Sequence, residues 1–291
     1  MTTLALPGIA NREQLIAKAM QSLNKLPPFS PVFSKLLASL SNENVSVSEL
    51  ADWVEKDAII AGQLLRTVNS AAYGQSGTIS SLRRAVAILG LAKLRNISLG
   101  MSVSRIWTHI RTPKSWSTAN FNLHSAACAI MVDQIAAQAS VEFGEAAFVA
   151  GLLHDIGRLV IALGLPDEYE LVQQAYSESI RPYWEVEQEQ LGFTHGELGG
   201  MILQKWNLTQ HVQLAVASHH GTAIEPIGAH SLGWALEVAD ETVNRMGIAI
   251  MNQQTPPEDG IECLAQFGLE SASTKILKTF NLEFEELKAI F

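Results

Sequence analysis

In Gly151–Ile161, GLLHDIGRLVI, an imidazole and a carboxylate stand side by side inside an apolar run. From Ala146 through Leu163, leucine, isoleucine, valine, phenylalanine and alanine cover nearly the whole circumference of a helix, the mark of an interior segment. A buried carboxylate without a partner costs several kcal/mol or is forced neutral. Asp155 therefore needs a cation. The sequence offers two: Arg158, three residues on and on an adjoining helix face, or a metal ion shared with histidines from elsewhere.

Candidate ligands for such an ion recur along the chain. His124 lies early in an expected helix 119–139. His195 falls in Thr194-His-Gly-Glu197, a capping-box pattern that puts it at the first position of a helix 195–206. His219 and His220 end a helix 209–220, with Gly221 as its stop. Asp240 interrupts the apolar stretch ALEVADETV. His109, His211 and His230 have no such company. Imidazole with carboxylate suits Fe, Mn, Zn, Co or Ni, whereas Mg and Ca seldom use histidine. Adjacent helical residues point about 100° apart, so His154 and Asp155 share one ion only if it lies between their directions. Alternatively, the two oxygens of Asp155 bridge two ions. Each residue also has a purely structural role open to it. His219 and His220 suit a helix C-terminus as cations, and Cys128, on the same face as His124, suits core packing.

The elements that must position these groups read as helices almost throughout, so the expected fold class is all-α. Ser46-Val-Ser-Glu49 is another capping box, with Val45 and Leu50 placed as its hydrophobic staple, and opens a helix to about Lys56. Ala58–Ala72 is amphipathic, Gly74–Ser80 is a loop, and Ser81–Leu89 and Leu91–Val103 are two helices broken at Gly90. RTPKSWS (111–117) is a polar junction. Helices 119–139, 144–163, 167–179, 195–206, 209–220 and 227–246 follow. NQQTPPEDG (252–260) is the strongest linker signal. The expected organisation is an N-terminal helical sub-bundle (1–110), a second one holding the histidines (111–251), and a linker with a short C-terminal helical cap (252–291).

Composition narrows the partners. The 291 residues are 47% hydrophobic, enough for a sizeable core. A net charge of −9 argues against general nucleic-acid binding, which rests on neutralising phosphates. Two cysteines make no disulfide framework. The N-terminus lacks a signal-peptide pattern, and the 146–163 run is short for a bilayer and interrupted by His154, Asp155 and Arg158. The expectation is a cytoplasmic protein without a membrane span. Arg83, Arg84, Lys93 and Arg95 read as a solvated helix face.

In this order, His124, His154-Asp155 within HDIGR, His195, His219-His220 and Asp240 resemble the signature of the HD superfamily of metal-dependent phosphohydrolases. More closely, the chain resembles an HDOD domain, the HD-related output domain of bacterial signalling proteins. LPPFSPVFSKLL (26–37), DWVEKDAIIAGQLLRTVNSAAYG (52–74), SSLRRAVAILGLAKLRNISLG (80–100) and GFTHGELGGMILQKWNL (192–208) carry that likeness over about Lys25–Gly221. The resemblance implies His154 and Asp155 as central ligands, with His124 and Asp240 completing a first ion site. His195, His219 and His220 match the extra ligands of two-metal relatives. It thus implies one or two divalent transition-metal ions, and Asp155 and Arg158 as the catalytic candidates if a phosphate ester is hydrolysed. Two departures weigh against hydrolysis. Arg158 replaces the lysine that commonly ends HDxGK and cannot donate a proton. GTAIEPIG after His220 contains no GYP motif, so the likeness does not extend to cyclic-di-GMP phosphodiesterases. HDOD domains imply a regulatory output and a signalling protein partner. The alternative is a phosphohydrolase acting on a nucleotide or phosphodiester. A third reading has a structural polar core, with Asp155 held by Arg158.

Overall fold

The computed structural model describes residues 9–27, 30–39, 45–69, 78–107, 110–221, 231–251 and 257–288. The fold is all-α: every regular element among these residues is helical. His109 and His230 lie outside them. The chain forms two compact units, one joining residues 1–26 to 110–277 and the other joining 27–109 to 278–291. This grouping differs from the linear borders expected at 110 and 251. The first helix, α1 (Ile9–Gln21), packs among the later helices, and the end of the chain joins the early ones.

The smaller unit contains α2 (Pro31–Ala38), α3 (Val47–Val54), α4 (Ala58–Val68), α5 (Leu82–Leu89) and α6 (Leu91–Trp107). Its helix starts are set locally. The Ser46 hydroxyl accepts from the Glu49 amide while the Glu49 carboxylate accepts from the Ser46 amide, completing the expected capping box. Asp57 caps α4 through the amides of Ile59 and Ile60. Phe33, Leu36, Leu50, Val54, Ile60, Leu64 and Leu94 form its core. Of the basic stretch, Arg83 meets Asp52 at 3.2 Å, and Lys93 meets Glu283 and Glu286 at 3.1 and 3.4 Å. These cations are spent on carboxylates.

The larger unit contains α1, α7 (Thr118–Gln138), α8 (Ala147–Leu153), α9 (Ile156–Gly164), α10 (Pro166–Ser177), α11 (Tyr183–Leu191), α12 (His195–Lys205), α13 (Gln210–Ser218), α14 (Leu232–Arg245) and α15 (Ile261–Gln266). A last helix, α16 (Ser273–Lys288), ends the described chain. The expected continuous helix 144–163 is interrupted. Asp155, at φ −94° and ψ 11°, leaves the helical region, and the Arg158 amide bonds to its carbonyl at 2.9 Å. His154 and Asp155 thus occupy the joint between α8 and α9. Uniform apolarity marks burial, but carries no signal of where a hydrogen-bond run breaks. Taken together, Gly144–Gly164 is long and apolar enough to cross a membrane, yet it is 94% buried within the protein. A second departure is α11, which the polar sequence YWEVEQEQL concealed.

Two glycines flank the joint and fix its neighbours. A Cβ on Gly151 would lie 2.6 Å from the Ala129 Cα and 2.7 Å from the Cys128 carbonyl oxygen, so α8 lies directly on the α7 backbone. A Cβ on Gly157 would lie 2.0 Å from the His195 carbonyl oxygen, so the start of α9 lies directly on the start of α12. Neither backbone can yield as a flexible side chain would. Gly157→Ala should therefore lower stability by about 1–3 kcal/mol or more. Gly62→Ala, in α4 with open space around its Cβ, should raise it by about 0.4–1 kcal/mol. Urea-denaturation midpoints of the two variants should move in opposite directions.

Candidate metal centre

The seven ligand candidates arrive from five places in the fold. α7 carries His124, the α8–α9 joint carries His154 and Asp155, and α12 begins at His195. His195 stands at the first helical position because Thr194 and Glu197 form the expected capping box. α13 ends into His219 and His220, and α14 carries Asp240. All seven side chains converge. His124, His154 and His219 have no exposed surface, and Asp155 is 2% exposed. His211 lies apart, stacked on Phe143.

The imidazoles share an orientation. Nδ1 of His124 faces the Ile248 carbonyl at 2.7 Å, Nδ1 of His154 the Gly151 carbonyl at 2.8 Å, and Nδ1 of His219 the Val216 carbonyl at 2.7 Å. Nδ1 of His195 faces the Glu187 carboxylate. A carbonyl can only accept, so in the first three the Nδ1 carries the proton and Nε2 turns inward. This is the orientation that ligating histidines take when an outer partner fixes the tautomer. Inside, His124 Nε2 lies 3.0 Å from Asp240 Oδ1 and 3.5 Å from Asp155 Oδ2. His154 Nε2 lies 3.4 Å from Asp155 Oδ2 and 3.5 Å from Asp240 Oδ1. His195 Nε2 lies 3.0 Å from Asp155 Oδ1 and 2.9 Å from His220 Nε2. The two oxygens of Asp155 thus face different histidine groups: Oδ2 faces His124 and His154, and Oδ1 faces His195.

These donors fit divalent ions. His154 Nε2 and His219 Nε2 are buried without a hydrogen bond, a cost that a cation would remove. The atoms of His195, His219 and His220 lie within 4.8 Å of one another, as do those of His124, His154, Asp240 and Cys128.

Arg158 also reaches the cluster. Its Nη1 lies 3.2 Å from Asp155 Oδ2, and its guanidinium carbon lies 4.0 Å from the centroid of the Tyr183 ring. The protonation equilibria follow from these contacts. Burial favours neutral Asp155, but His154, Arg158 and His195 outweigh it and hold the carboxyl well below its usual range. Asp240 is held low against burial by the imidazoles of His124 and His154 that face its carboxylate. Burial opposes a charge on His195, yet Glu187 and Asp155 push it up to about 9. His219 goes the other way, down to about 3, through burial and its neighbours His154 and His195.

Three supporting residues escaped the sequence reading. Glu187 is 1% exposed and takes both the ring and the backbone amide of His195. Tyr183 carries the Arg158 guanidinium, and Asn244 donates to Asp240 Oδ1 at 2.8 Å. A signal existed for Glu187: with Tyr183, Val186 and Leu191 it occupies one helix stripe, where a carboxylate is out of place. Asp155, Arg158, His195, His220 and Asp240 lie at the wall of a cavity of about 850 Å³ that Trp184, Trp234, Glu237 and Arg245 also line.

Solved structures share the fold. A structure of an HDOD domain protein of unknown function from Geobacter sulfurreducens superposes with a TM-score of 0.73 at 19% identity, covering 92% of this chain and 98% of that one. A candidate phosphohydrolase from Shewanella amazonensis SB2B superposes with a TM-score of 0.70 at 23% identity, covering 94% and 98%. An uncharacterized protein of Treponema pallidum (strain Nichols) is 22% identical over 264 residues, which are 87% of this chain and 48% of that protein. This chain therefore spans about half the length of that curated relative. The HDOD domain model matches residues 26–222, more than half of the chain, and includes every ligand candidate but Asp240. On that match the chain belongs to the HDOD domain family.

Proposed function

We propose that this protein is a cytoplasmic HDOD signalling module that holds one or two divalent transition-metal ions and relays the state of that centre to a protein partner. The ligands would be His124, His154 and Asp240 on one side and His195, His219 and His220 on the other, with Asp155 between them. The observation that carries the regulatory reading is the commitment of Arg158. Its guanidinium is paired with Asp155 and stacked on Tyr183, and it cannot serve as a proton donor. It can hold a phosphate or a carboxylate, so a nucleotide or another phosphate ester is a fitting ligand for the cavity. Glu187 orients His195, and Asn244 orients Asp240, in the manner of outer partners that fix a ligand's geometry.

A second reading, a metal-dependent phosphohydrolase, rests on a specific observation of its own. Asp155, His195, His220 and Asp240 all border the cavity, so a phosphate ester could reach them. Bound there, divalent ions would activate a water and stabilise the leaving oxygen. Glu237, on the cavity wall, has its carboxyl raised by burial and by Asp240 and Glu241, a direction that suits a proton donor.

Protein purified without tag or chelator should carry close to one or two equivalents of Fe, Mn, Zn, Co or Ni by elemental analysis, and Asp155→Ala should lose it. Metal-free protein that cannot be reconstituted would end both readings. A panel of nucleotides and phosphodiesters should give no turnover with the loaded protein. Metal-dependent turnover that Asp155→Ala abolishes would replace the regulatory reading with the hydrolytic one.

The protonation of His195 makes a separate prediction. Its pKa is raised to about 9 in the folded state, from about 6.5 unfolded. Its contribution to metal-free stability is therefore complete below about pH 6.5 and lost as the pH rises through about 9. A metal ion would take the place of that proton. Binding near neutral pH should release protons, giving a calorimetric enthalpy that varies with the ionisation enthalpy of the buffer, and the alkaline loss of stability should disappear in the loaded protein.

Arg158→Met should cost the metal-free protein about 3 kcal/mol, because it strands a buried carboxylate. The loss should be smaller with metal, which neutralises the same group. Equal losses in both forms, read from chemical denaturation, would mean that Asp155 pairs with Arg158 alone.

A further inference from the structure

Cys128 lies one helical turn after His124 on α7, with no exposed surface, and its sulfur points into the cluster. Its Sγ lies 3.6 Å from His124 Nε2 and 3.8 Å from Asp240 Oδ1. With His154 Nε2, the four atoms lie within 4.8 Å of one another. His154 Nε2, also fully buried, has no hydrogen-bond partner at this point.

The spacing can be compared with coordination geometry. Metal–sulfur and metal–nitrogen or –oxygen bonds of about 2.3 and 2.0 Å at tetrahedral angles put sulfur and nitrogen roughly 3.6 Å apart, sulfur and oxygen roughly 3.5 Å, and nitrogen and oxygen roughly 3.3 Å. The corresponding separations here are 3.6 Å for Cys128–His124, 3.8 Å for Cys128–Asp240, and 3.0 and 3.5 Å for Asp240 with His124 and His154. Each lies within about 0.3 Å of the tetrahedral value.

We infer that Cys128 is a thiolate ligand of the ion held by His124, His154 and Asp240, so that the position's own donors form an N₂OS set beside the Asp155 carboxylate it shares with the second position. Coordination forms the metal–sulfur bond and breaks the S–H bond, and the proton leaves to solvent or buffer. No electron is transferred. A thiolate makes the position soft, which selects Zn, Fe or Co over Mn and Mg. The His195–His219–His220 side, without sulfur, stays nitrogen-rich. The two positions then differ in metal preference. This inference rests on the metal-binding reading above.

Cobalt(II) tests it without any need for turnover. The metal-free full chain loaded with Co(II) should show ligand-field bands, which report binding, and a near-ultraviolet thiolate-to-cobalt charge-transfer band, which reports the sulfur. The chain has two cysteines, so the band should persist in Cys263→Ala, where Cys128 is the sole thiol. It should vanish in Cys128→Ser, with at least about a 10-fold loss of affinity for that ion. Either variant alone assigns the band, so poor folding of one leaves the test intact. Cobalt bound with ligand-field bands but no charge-transfer band would overturn the thiolate assignment and leave the metal reading standing. So would a band that survives in Cys128→Ser. No cobalt bound at all would overturn both.

Discussion

The constraint on which the larger unit depends is charge neutrality among buried groups. Asp155, Asp240 and Glu187 are buried acids around one cluster, and Arg158 is the guanidinium in contact with it. A single fixed cation cannot answer three carboxylates at such depth. Imidazoles supply the balance. His154 and His195 are drawn toward the protonated form by Asp155 and Glu187, while His219 and His220 are held neutral by burial and by the histidines beside them. The cluster is therefore divided: some rings bear protons that a metal would displace, and others present lone pairs already free. Both kinds favour a divalent cation, for different reasons.

Neutrality sets what the cluster must contain, and backbone contact sets where it can form. Gly151 seats the His154–Asp155 joint on the helix of His124, and Gly157 seats it on the first turn of His195. The joint is a rigid corner between two helices that each supply a ligand. The same contacts explain why the break falls where it does. A straight helix through residues 147–164 would carry His154 and Asp155 about 100° apart. Turning the chain at Asp155 frees its carboxylate to reach His124 and His195 at once. Geometry at one residue thereby couples two histidine groups that lie far apart in the sequence.

Much of this was legible in the sequence. The capping boxes at Ser46 and Thr194 marked helix starts that the structure reproduces, and the second fixed His195 at the head of α12. His154, Asp155 and Asp240 were legible because they interrupt apolar helical runs, and the resemblance to the HD pattern joined His124, His195, His219 and His220 to them. What stayed hidden depends on tertiary contact. The break at Asp155 leaves no local trace, since the flanking residues suit a helix on either side. Glu187 shares a helix stripe with Tyr183, Val186 and Leu191, but its role comes only from its contact with His195. α1, within the stretch expected to form the N-terminal sub-bundle, belongs with the later helices instead.

The two partners that the sequence offered Asp155 turn out to be compatible. Arg158 engages Oδ2 from one side, while Oδ1 faces His195 on the other. An ion at either position would meet a carboxylate already oriented by a guanidinium, and Tyr183 holds that guanidinium in place. A lysine could approach as a point charge but would lack the flat surface that Tyr183 supports and the fork that fixes the carboxylate plane. Arginine in place of lysine thus gives up a dissociable proton and gains a clamp on Asp155. That trade suits the proposed regulatory centre, which would hold its carboxylate steady, more than one that passes a proton at each turnover.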